Sequence, residues 1–344
     1  MILSSIRRPS VGLIAMLMAA TAAAQTAQKP LAPPVALRTG AVGALSDAGI
    51  YIALDKGFFR DEGLDVELVN FGVGPQIIPS LATDQVQVSG LSVSPSMFNA
   101  LRIGAGLRLV SDKGQVSKGF GWAALTLRSD LTGAIHDFKD LKGRKIGLPS
   151  KNVSLFTQLG KGLEEGGLSL ADVDLVEIGF PEMMAALSNK AIDAAMLIEP
   201  FVTLVAANNV AVRWKGVEEF YPFKAQNGVV IYAEKFMKEQ PEAARRWMVA
   251  YLRGARAYTD ALSGGADGAA VNGILAKYTA VKNPALYAKM QPIDFDPNGR
   301  LELRSLELDQ DWFLKLGLQL QRADLSKVID YQYVDYAVGH LPKR

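Results

Sequence analysis

The sequence predicts an α/β protein of two lobes, each built on a mostly parallel β-sheet flanked by helices. Three observations carry this expectation. The chain has 344 residues, a length at which one hydrophobic core usually gives way to two. Short apolar runs alternate with amphipathic stretches of helical spacing, which indicates β–α–β units. One such unit recurs further along the chain, where Pro181 matches Pro75 at an offset of 181 − 75 = 106.

The first 24 residues have the pattern of a secretory signal peptide. Arg7 and Arg8 form a basic start, the apolar run Val11–Ala20 follows, and the small residues Ala22–Ala24 suit a cleavage site. The apolar run is shorter than the roughly 20 residues that a membrane-spanning helix needs. We therefore expect cleavage after residue 24, export to the periplasm, and no stable membrane insertion of the mature protein.

Composition excludes several classes of function. The chain contains no cysteine, which removes disulfides, thiolate catalysis and iron–sulfur ligation. Loss of two Arg with the leader leaves a formal charge of 37 − 2 − 35 = 0. A balanced charge predicts neither nucleic acid nor an anionic membrane as a partner, and we expect a monomer.

The mature sequence opens with a β–α–β pattern. Residues 25–34 are Pro-rich and predict a linker, and the apolar run VALRTG that follows predicts a buried strand. Residues Ala48–Phe59 have apolar side chains at helical spacing, and Gly57 can end that helix. Residues Asp65–Phe71 predict the next strand, which we expect to lie parallel to the first.

The repeat suggests a second lobe of similar construction. From Gly74 and from Phe180, the sequence predicts a helix and then an apolar strand, and Leu81 matches Leu187. Identity between the two copies is low, so a chance agreement of two β–α–β units is the alternative. In the second copy, KIGLP predicts the opening strand and residues Ser154–Gly162 predict its helix.

Two polar, Gly-containing stretches without periodicity predict where the chain passes between the lobes. They are Ser111–Gly121 and Lys215–Gly228. Residues Glu242–Leu262 then predict a long amphipathic helix, followed by further helices and a turn at Asp296–Gly299. The expected organisation is lobe 1 over 35–115, lobe 2 over 116–222, and a return to lobe 1 with C-terminal helices over 223–344.

Catalytic and cofactor chemistry is hard to assemble from this sequence. Of its two histidines, His136 lies in a polar linker and His340 lies five residues from the end, where surface positions are expected. No cluster of His, Asp and Glu has the spacing of metal ligands, and no complete nucleotide-binding motif is present. The sequence predicts no enzyme, no cofactor and no metal site.

Candidate ligand-binding residues lie in turns that join strands to helices. Such turns meet at the carboxyl ends of parallel strands, where α/β folds bind ligands, and helix N-termini favour anions or polar head groups. Ordinary helix capping is the alternative for each hydroxyl or amide side chain. The candidates in the four turns are Ser46, Asp47, Gly74, Gln76, Ser92, Ser94, Ser150, Asn152 and Ser154.

Three further residues complete the candidate set. Glu199 follows the apolar run AAMLI, and a carboxylate there needs a donor, from a ligand or from the protein. Trp122 follows the first crossing and could stack on a flat ligand or pack in the core. Asn227 lies in the return crossing.

Four stretches of the sequence resemble the nitrate/sulfonate/taurine family of ABC-transporter solute-binding proteins, which includes binders of thiamine pyrimidine precursors. They are GIYIALDKGFFRDEGLDVELVNF, IPSLATDQVQVSGLSVSP, DLKGRKIGLP and LSNKAIDAAMLIEPF. The resemblance covers about Leu37–Phe201 well and the C-terminal third loosely. It implies the type II periplasmic binding protein fold with two hinge crossings, and a cleft lined by the turns above and by Glu199. This chain departs from the family's usual pattern at Asp47 and at Ile198, both of which bear on ligand identity.

The resemblance also implies a function and partners. A small organic molecule, such as a sulfonate, an aromatic carboxylate or a pyrimidine-like compound, would bind between the lobes and be passed to an ABC permease and its ATPase. A periplasmic sensor or receptor is the first alternative. An enzyme of the related pyrimidine-synthase type is the second, although this chain lacks the cysteine and histidine motifs that such enzymes need.

Overall fold

A computed structural model describes residues 28–71, 76–265 and 267–344. The expected signal peptide and the turn containing Gly74 lie outside these residues. Among the described helices, none is both long enough and apolar enough to cross a membrane.

Two five-stranded sheets form the framework. The first has the spatial order β2 (Leu64–Asn70), β1 (Val35–Ala41), β3 (Val88–Ser92), β12 (Gly228–Ala233) and β4 (Leu107–Asp112). The second has the order β10 (Ala211–Gly216), β6 (Ala123–Arg128), β9 (Ala194–Ile198), β7 (Lys145–Leu148) and β8 (Asp174–Glu177). The internal strands β9 and β12 are apolar and buried along their whole length, as strands covered on both faces require.

One internal strand of each sheet is reversed, and the other four run in the same direction, as expected for mostly parallel sheets. Strand β12 pairs antiparallel with β3 and β4, and β6 pairs antiparallel with β9 and β10. Both follow a crossing that arrives from the other sheet at the carboxyl ends of the remaining strands. A strand that starts at that edge has to run in the opposite direction.

Helices cover the faces of the two sheets. Those up to the return crossing are α1 (Ala48–Asp55), α2 (Phe58–Asp61), α3 (Ile77–Ala82), α4 (Pro95–Arg102), α5 (Ser154–Glu165), α6 (Phe180–Ser188), α7 (Phe201–Ala207) and α8 (Val217–Phe220). Those after it are α9 (Glu234–Glu239), α10 (Pro241–Leu262), α11 (Gly268–Tyr278), α12 (Pro284–Tyr287), α13 (Leu303–Lys315), α14 (Leu325–Val328) and α15 (Gln332–His340).

The internal repeat is present as shared geometry. Strand β3 lies beside β1 at Val88, and β9 lies beside β7 at Ala194, with 194 − 88 = 106. The helices α3 and α6 are each followed by a non-glycine residue in the left-handed region, Asp84 (φ 60°) and Lys190 (φ 64°), again 190 − 84 = 106 apart. The two copies therefore end their helices and place their strands in the same way despite their low identity.

Two crossings join the sheets, close to the stretches expected from sequence. The chain leaves the first sheet at Asp112 and enters the second at Ala123, then leaves at Gly216 and re-enters the first at Gly228. Within the crossings, β5 (Gln115–Val116) and β11 (Ala225–Gln226) pair antiparallel. The lobe boundaries given above stay a prediction, but the sheet membership follows the same division.

The C-terminal third packs on both sheets' helices, whereas packing on the first lobe alone was expected. In α13, Phe313 contacts Phe98 of α4, with ring centroids 6.3 Å apart, and Trp312 lies against Gly160 of α5. The segment holds apolar residues at positions that face both halves, so it buries more surface by spanning them.

Helix α10 meets α1 closely at Gly254, where an added Cβ would lie 2.1 Å from the Gly49 carbonyl oxygen.

Candidate ligand-binding site

A cavity of about 550 Å³ lies between the carboxyl ends of the two sheets. From the first sheet and its crossings it is lined by Val42, Gly43, Ala44, Ser46, Phe71, Gln76, Ser92 and Asn227. From the second half it is lined by Trp122, Pro149, Val153, Ser154, Leu155, Gly179, Phe180, Pro181, Glu182, Ile198 and Phe201, and Ala280 completes it. The volume is in the range of small-molecule sites.

Six of the residues singled out from sequence lie on this cavity wall: Ser46, Gln76, Ser92, Trp122, Ser154 and Asn227. They come from both halves of the chain, as expected for turns at facing sheet edges. Gly74 lies outside the described residues. That these side chains contact a ligand stays a prediction.

Asp47 does not line the cavity, in contrast to the expectation. Its side chain is fully buried, and its Oδ2 accepts hydrogen bonds from the Val42 amide (2.9 Å), the Ala44 amide (3.2 Å) and the Tyr51 hydroxyl (3.2 Å). Its Oδ1 lies 2.8 Å from the Lys113 ammonium. Asp47 therefore holds the loop that forms the wall.

Glu199 is also absent from the wall, because the protein itself supplies the donors that its buried carboxylate needs. Its oxygens accept from the Thr203 amide (3.0 Å) and hydroxyl (2.9 Å) at the start of α7, and from the Gln291 amide (3.1 Å). Burial raises the pKa of this carboxyl group to about 7, although these hydrogen bonds lower it. Glu199 therefore accepts hydrogen bonds at the start of α7 and joins that helix to the C-terminal segment.

Three turn residues, Ser94, Ser150 and Asn152, do not line the cavity, and the first two accept local hydrogen bonds. Ser94 is buried, and its hydroxyl oxygen accepts from the Met97 amide at 3.1 Å at the start of α4. The hydroxyl oxygen of Ser150 accepts from the Asn152 amide at 3.0 Å, and Asn152 is exposed. The capping alternative is therefore the structural role of Ser94 and Ser150.

Direct contacts join the two halves around the cavity. The Ser154 amide at the start of α5 donates to the Val93 carbonyl at 3.0 Å. The Gln158 side-chain amide donates to the Asn227 side-chain oxygen at 2.9 Å. Both Gln158 and Asn227 are buried, so hydrogen bonds join the two halves beside the cavity.

Aromatic rings dominate the apolar part of the wall. Phe180 and Phe201 stack with centroids 5.3 Å apart and planes 20° from parallel. Trp122 is fixed by a hydrogen bond from its indole N–H to the Gln115 carbonyl at 3.2 Å. With Phe71 from the first half, the wall offers aromatic surface suited to a flat or apolar ligand.

Sequence reasoning missed Phe180 and Glu182, although the repeat contained the signal. Glu182 corresponds to Gln76 at 182 − 76 = 106, and both line the cavity. Ile198 corresponds to Ser92 at the same offset, 198 − 92 = 106, and both line it as well. Applying the offset to each candidate of the first copy would have found these partners.

A second cavity, in the described part of the chain, is a poorer candidate. It measures about 470 Å³ and includes the charged residues Arg38, Glu67 and Asp84. It lies toward the amino end of the first sheet, away from the strand ends where α/β folds bind ligands. Within the described residues, no group of three or more His, Cys, Asp or Glu could hold a metal ion.

Comparison with known proteins gives a family. The model of the NMT1/THI5-like family matches residues 46–261. A riboflavin-binding protein, RibY, of Chloroflexus aurantiacus is 27% identical over 247 residues, 69% of this chain and 65% of its own length. A Bacillus subtilis protein that bears the name aliphatic sulfonates-binding protein is 28% identical over 207 residues, 58% of each chain. This chain thus matches less than two thirds of either relative's length.

Solved structures share the fold at low sequence identity. The alkanesulfonate-binding protein SsuA of Xanthomonas axonopodis pv. citri, bound to MOPS, has a TM-score of 0.70 at 20% identity, covering 88% of this chain and 100% of that one. The desulfurization enzyme DSZB has a TM-score of 0.65 at 16% identity, covering 89% and 99%. Binding proteins and an enzyme therefore share this architecture, and the fold alone does not decide between them.

The family match extends over more than half of the chain, and the two sheets with their crossings agree with solved periplasmic binding proteins. The chain belongs to the NMT1/THI5-like family and has the two-lobed fold of the periplasmic binding proteins.

Proposed function

We propose that this protein is exported to the periplasm, captures a small organic molecule in the cavity between its two lobes, and delivers that molecule to an ABC-type importer. The observation that carries the proposal is the cavity of about 550 Å³ whose wall comes from both halves of the chain. A ligand that contacts both lobes favours the closed arrangement over an open one, since only the closed form makes all of its contacts.

The wall supports a ligand with a flat or apolar body and a polar head. Phe71, Trp122, Phe180 and Phe201 supply aromatic surface, and Ser46, Ser92, Ser154 and Asn227 supply hydrogen-bonding groups. Sulfonates, aromatic carboxylates and pyrimidine-like compounds fit this description. The names of the relatives mention sulfonates and riboflavin, which are likewise small organic molecules with polar groups.

The proposed partners follow from the family. An ABC permease and its ATPase would receive the ligand from the closed, monomeric protein. Export would use the leader of residues 1–24, and the balanced charge of the mature chain supports no role with nucleic acid.

A binding role is favoured over catalysis by where the candidate catalytic side chains lie. His136 is exposed, and His340 is exposed and stacks on Tyr336 with centroids 4.0 Å apart. Neither lines the cavity. The chain contains no cysteine, so a thiolate nucleophile of the kind used in acyl or sulfur chemistry is excluded. We propose that the protein is not an enzyme.

Calorimetry on the mature protein tests the proposal. The panel contains alkane and arene sulfonates, aromatic carboxylates, nitrate, pyrimidines and riboflavin, and analysis of each compound after incubation tests for turnover. We expect a Kd of about 10 µM or tighter for at least one compound and no product. If no compound binds below about 1 mM, or if one is converted, the proposal is wrong.

A matched pair of variants places the binding in the cavity. Phe180→Ala removes a half-buried ring from the wall. Phe223→Ala removes a half-buried ring that does not line the cavity and packs on Tyr221, with ring centroids 5.4 Å apart. We expect Phe180→Ala to weaken the tightest compound at least tenfold, because aromatic contact contributes on the order of 1 kcal/mol beyond buried area. Phe223→Ala should leave its Kd within about twofold.

A further inference from the structure

A buried ammonium group lies directly behind the cavity wall. Lys113 follows β4 in the first crossing, and its side chain is 1% exposed. Its Nζ lies 2.8 Å from Asp47 Oδ1 and donates to Ser46 Oγ at 3.0 Å. Ser46 lines the cavity, whereas Lys113 and Asp47 do not. The serine hydroxyl is thus placed between a fixed cation and the space that a ligand would fill.

The surrounding backbone is shaped to hold this lysine. A Cβ added at Gly90 of β3 would lie 2.5 Å from Lys113 Cδ and Cε, and one added at Gly228 of β12 would lie 3.3 Å from Cδ. Two adjacent strands therefore lack side chains at the points where the lysine passes them. Asp47 is fixed in turn by the three donors to its Oδ2, two of which belong to the wall loop at Val42 and Ala44.

This arrangement biases the Ser46 hydroxyl toward donating, because Lys113 already occupies one of its lone pairs. A serine hydroxyl has one proton and two lone pairs, and a lysine ammonium is only a donor. Because Ser46 Oγ accepts from Lys113, its proton has to point away from the ammonium. Ser46 lies on the cavity wall, so an acceptor atom of a ligand can take this proton, and the bond from Lys113 makes the hydroxyl a stronger donor and a weaker acceptor. Because the Asp47 carboxylate balances the ammonium charge, discrimination against a ligand ammonium rests on this polarised hydroxyl and not on charge repulsion.

We infer that Lys113 is a positioning residue that fixes Ser46 as a hydrogen-bond donor into the cavity, so that this end selects a ligand bearing an acceptor oxygen over one bearing an ammonium. The inference rests on the proposed function and adds the orientation of the ligand in the cavity. The head group at Ser46 is a carboxylate, sulfonate or carbonyl oxygen, and the apolar body extends toward Phe180 and Phe201.

Calorimetry with two probes of similar shape tests this selection. The probes are 4-methylbenzoate, an acceptor, and 4-methylbenzylammonium, a donor, each titrated into the mature protein. The wild type should bind the benzoate at least tenfold more tightly. Ser46→Ala should lower the affinity for the benzoate about tenfold, as expected for one charge-assisted hydrogen bond, and leave the affinity for the benzylammonium unchanged. Ser80→Ala, in α3 and outside the cavity lining, is the matched control and should change the ratio less than threefold.

A second variant tests the lysine itself. Lys113→Met combined with Asp47→Asn removes both charges together, which avoids leaving one buried charge unpaired. The hydroxyl of Ser46 then turns freely, and the tenfold preference for the benzoate should fall to less than threefold. If this variant does not fold, Ser46→Ala decides the question alone.

The outcomes separate the inference from the proposed function. If the wild type shows no preference for the benzoate, or Ser46→Ala weakens both probes equally, the inference is overturned while binding of other compounds upholds the function. If no compound of the wider panel binds, the proposed function fails and the inference fails with it.

Discussion

Glu199 illustrates how a buried carboxylate can be satisfied without a ligand. It lies at the carboxyl end of β9, where a ligand contact was expected, yet the Thr203 and Gln291 groups already donate to both of its oxygens. Removal from water is the dominant influence on this group, and it raises the pKa to about 7 against an ordinary value of 4.5. The raised value has a consequence for stability.

The variant Glu199→Gln should reveal that consequence as a pH dependence. Between about pH 4.5 and 7 the native state keeps its proton while the unfolded state releases it, so this group stabilises the wild type at low pH and the contribution is lost as pH rises. Glutamine cannot titrate. The free energy of unfolding of the variant should therefore rise relative to the wild type by about 3 kcal/mol across this window.

Chemical denaturation of both proteins at pH 4.5, 6 and 7.5 provides the measurement. Using the difference between the proteins cancels other buried acids such as Asp112, whose pKa burial also raises to about 7. A difference that stays constant across the window would contradict the account of Glu199.

Individual site residues could be predicted only in part from sequence. Ser46 and Ser94 are both hydroxyl residues in a strand-to-helix turn, yet Ser46 lines the cavity and Ser94 is buried as a cap. The direction of each side chain depends on tertiary packing that the local pattern does not contain. Lys113 was missed because a lysine in a polar crossing gives no sign of burial; it depends on Gly90 and Gly228, two positions remote in sequence.

Secondary elements were predicted more completely than residues. The expected strand at Asp65–Phe71 is β2 (Leu64–Asn70), and the expected helix at Glu242–Leu262 is α10 (Pro241–Leu262). Gly57 ends α1 in the left-handed region, at φ 77°, as glycine allows. Hydrophobic periodicity and glycine positions are local signals, so they predict helices and strands without knowledge of the fold. Strand direction is not local, and the reversal of β6 and β12 could not be read from their apolar runs.

The packing of α5 on α13 depends on a glycine. A Cβ added at Gly160 would lie 2.4 Å from two ring carbons of Trp312. Since these atoms belong to a buried ring, Gly160→Ala should separate the two helices and lower the free energy of unfolding by about 2 kcal/mol. In a Trp312→Leu background the same substitution should cost less than half as much.

Gly273→Ala is the control for helix propensity. Gly273 lies in α11, and no atom lies within 4 Å of an added Cβ. Alanine there should raise the free energy of unfolding by up to about 1 kcal/mol. If Gly160→Ala is as stabilising as Gly273→Ala in chemical denaturation, the close packing of Trp312 on α5 is not what holds these helices together.

At the scale of the whole molecule, the two halves are similar units facing each other. Gln76 and Ser92 in the first half correspond to Glu182 and Ile198 in the second, and all four line the cavity. The resemblance predicted the two-lobed fold and its family, and both are confirmed. The bridging C-terminal segment was predicted as helical but placed on one lobe only, because an amphipathic helix does not indicate how many partners its apolar face covers.

A ligand that holds both lobes together should change the distance between them. Gln85 precedes β3 and Ala191 precedes β9. Both residues are exposed, and they occupy equivalent positions of the repeat, at an offset of 191 − 85 = 106. Because the chain contains no cysteine, Gln85→Cys and Ala191→Cys provide unique sites for two spin labels. Pulsed electron–electron double resonance then measures the distance between the two spin labels, one in each half.

We expect the doubly labelled protein without ligand to show a broad distribution of distances, and saturation with the tightest compound found by calorimetry to give a shorter and narrower one. Introducing Phe180→Ala should shift the midpoint of this change to at least tenfold higher ligand concentration. A distance distribution that stays the same in the presence of a compound shown to bind would contradict the claim that the ligand lies between the lobes and closes them.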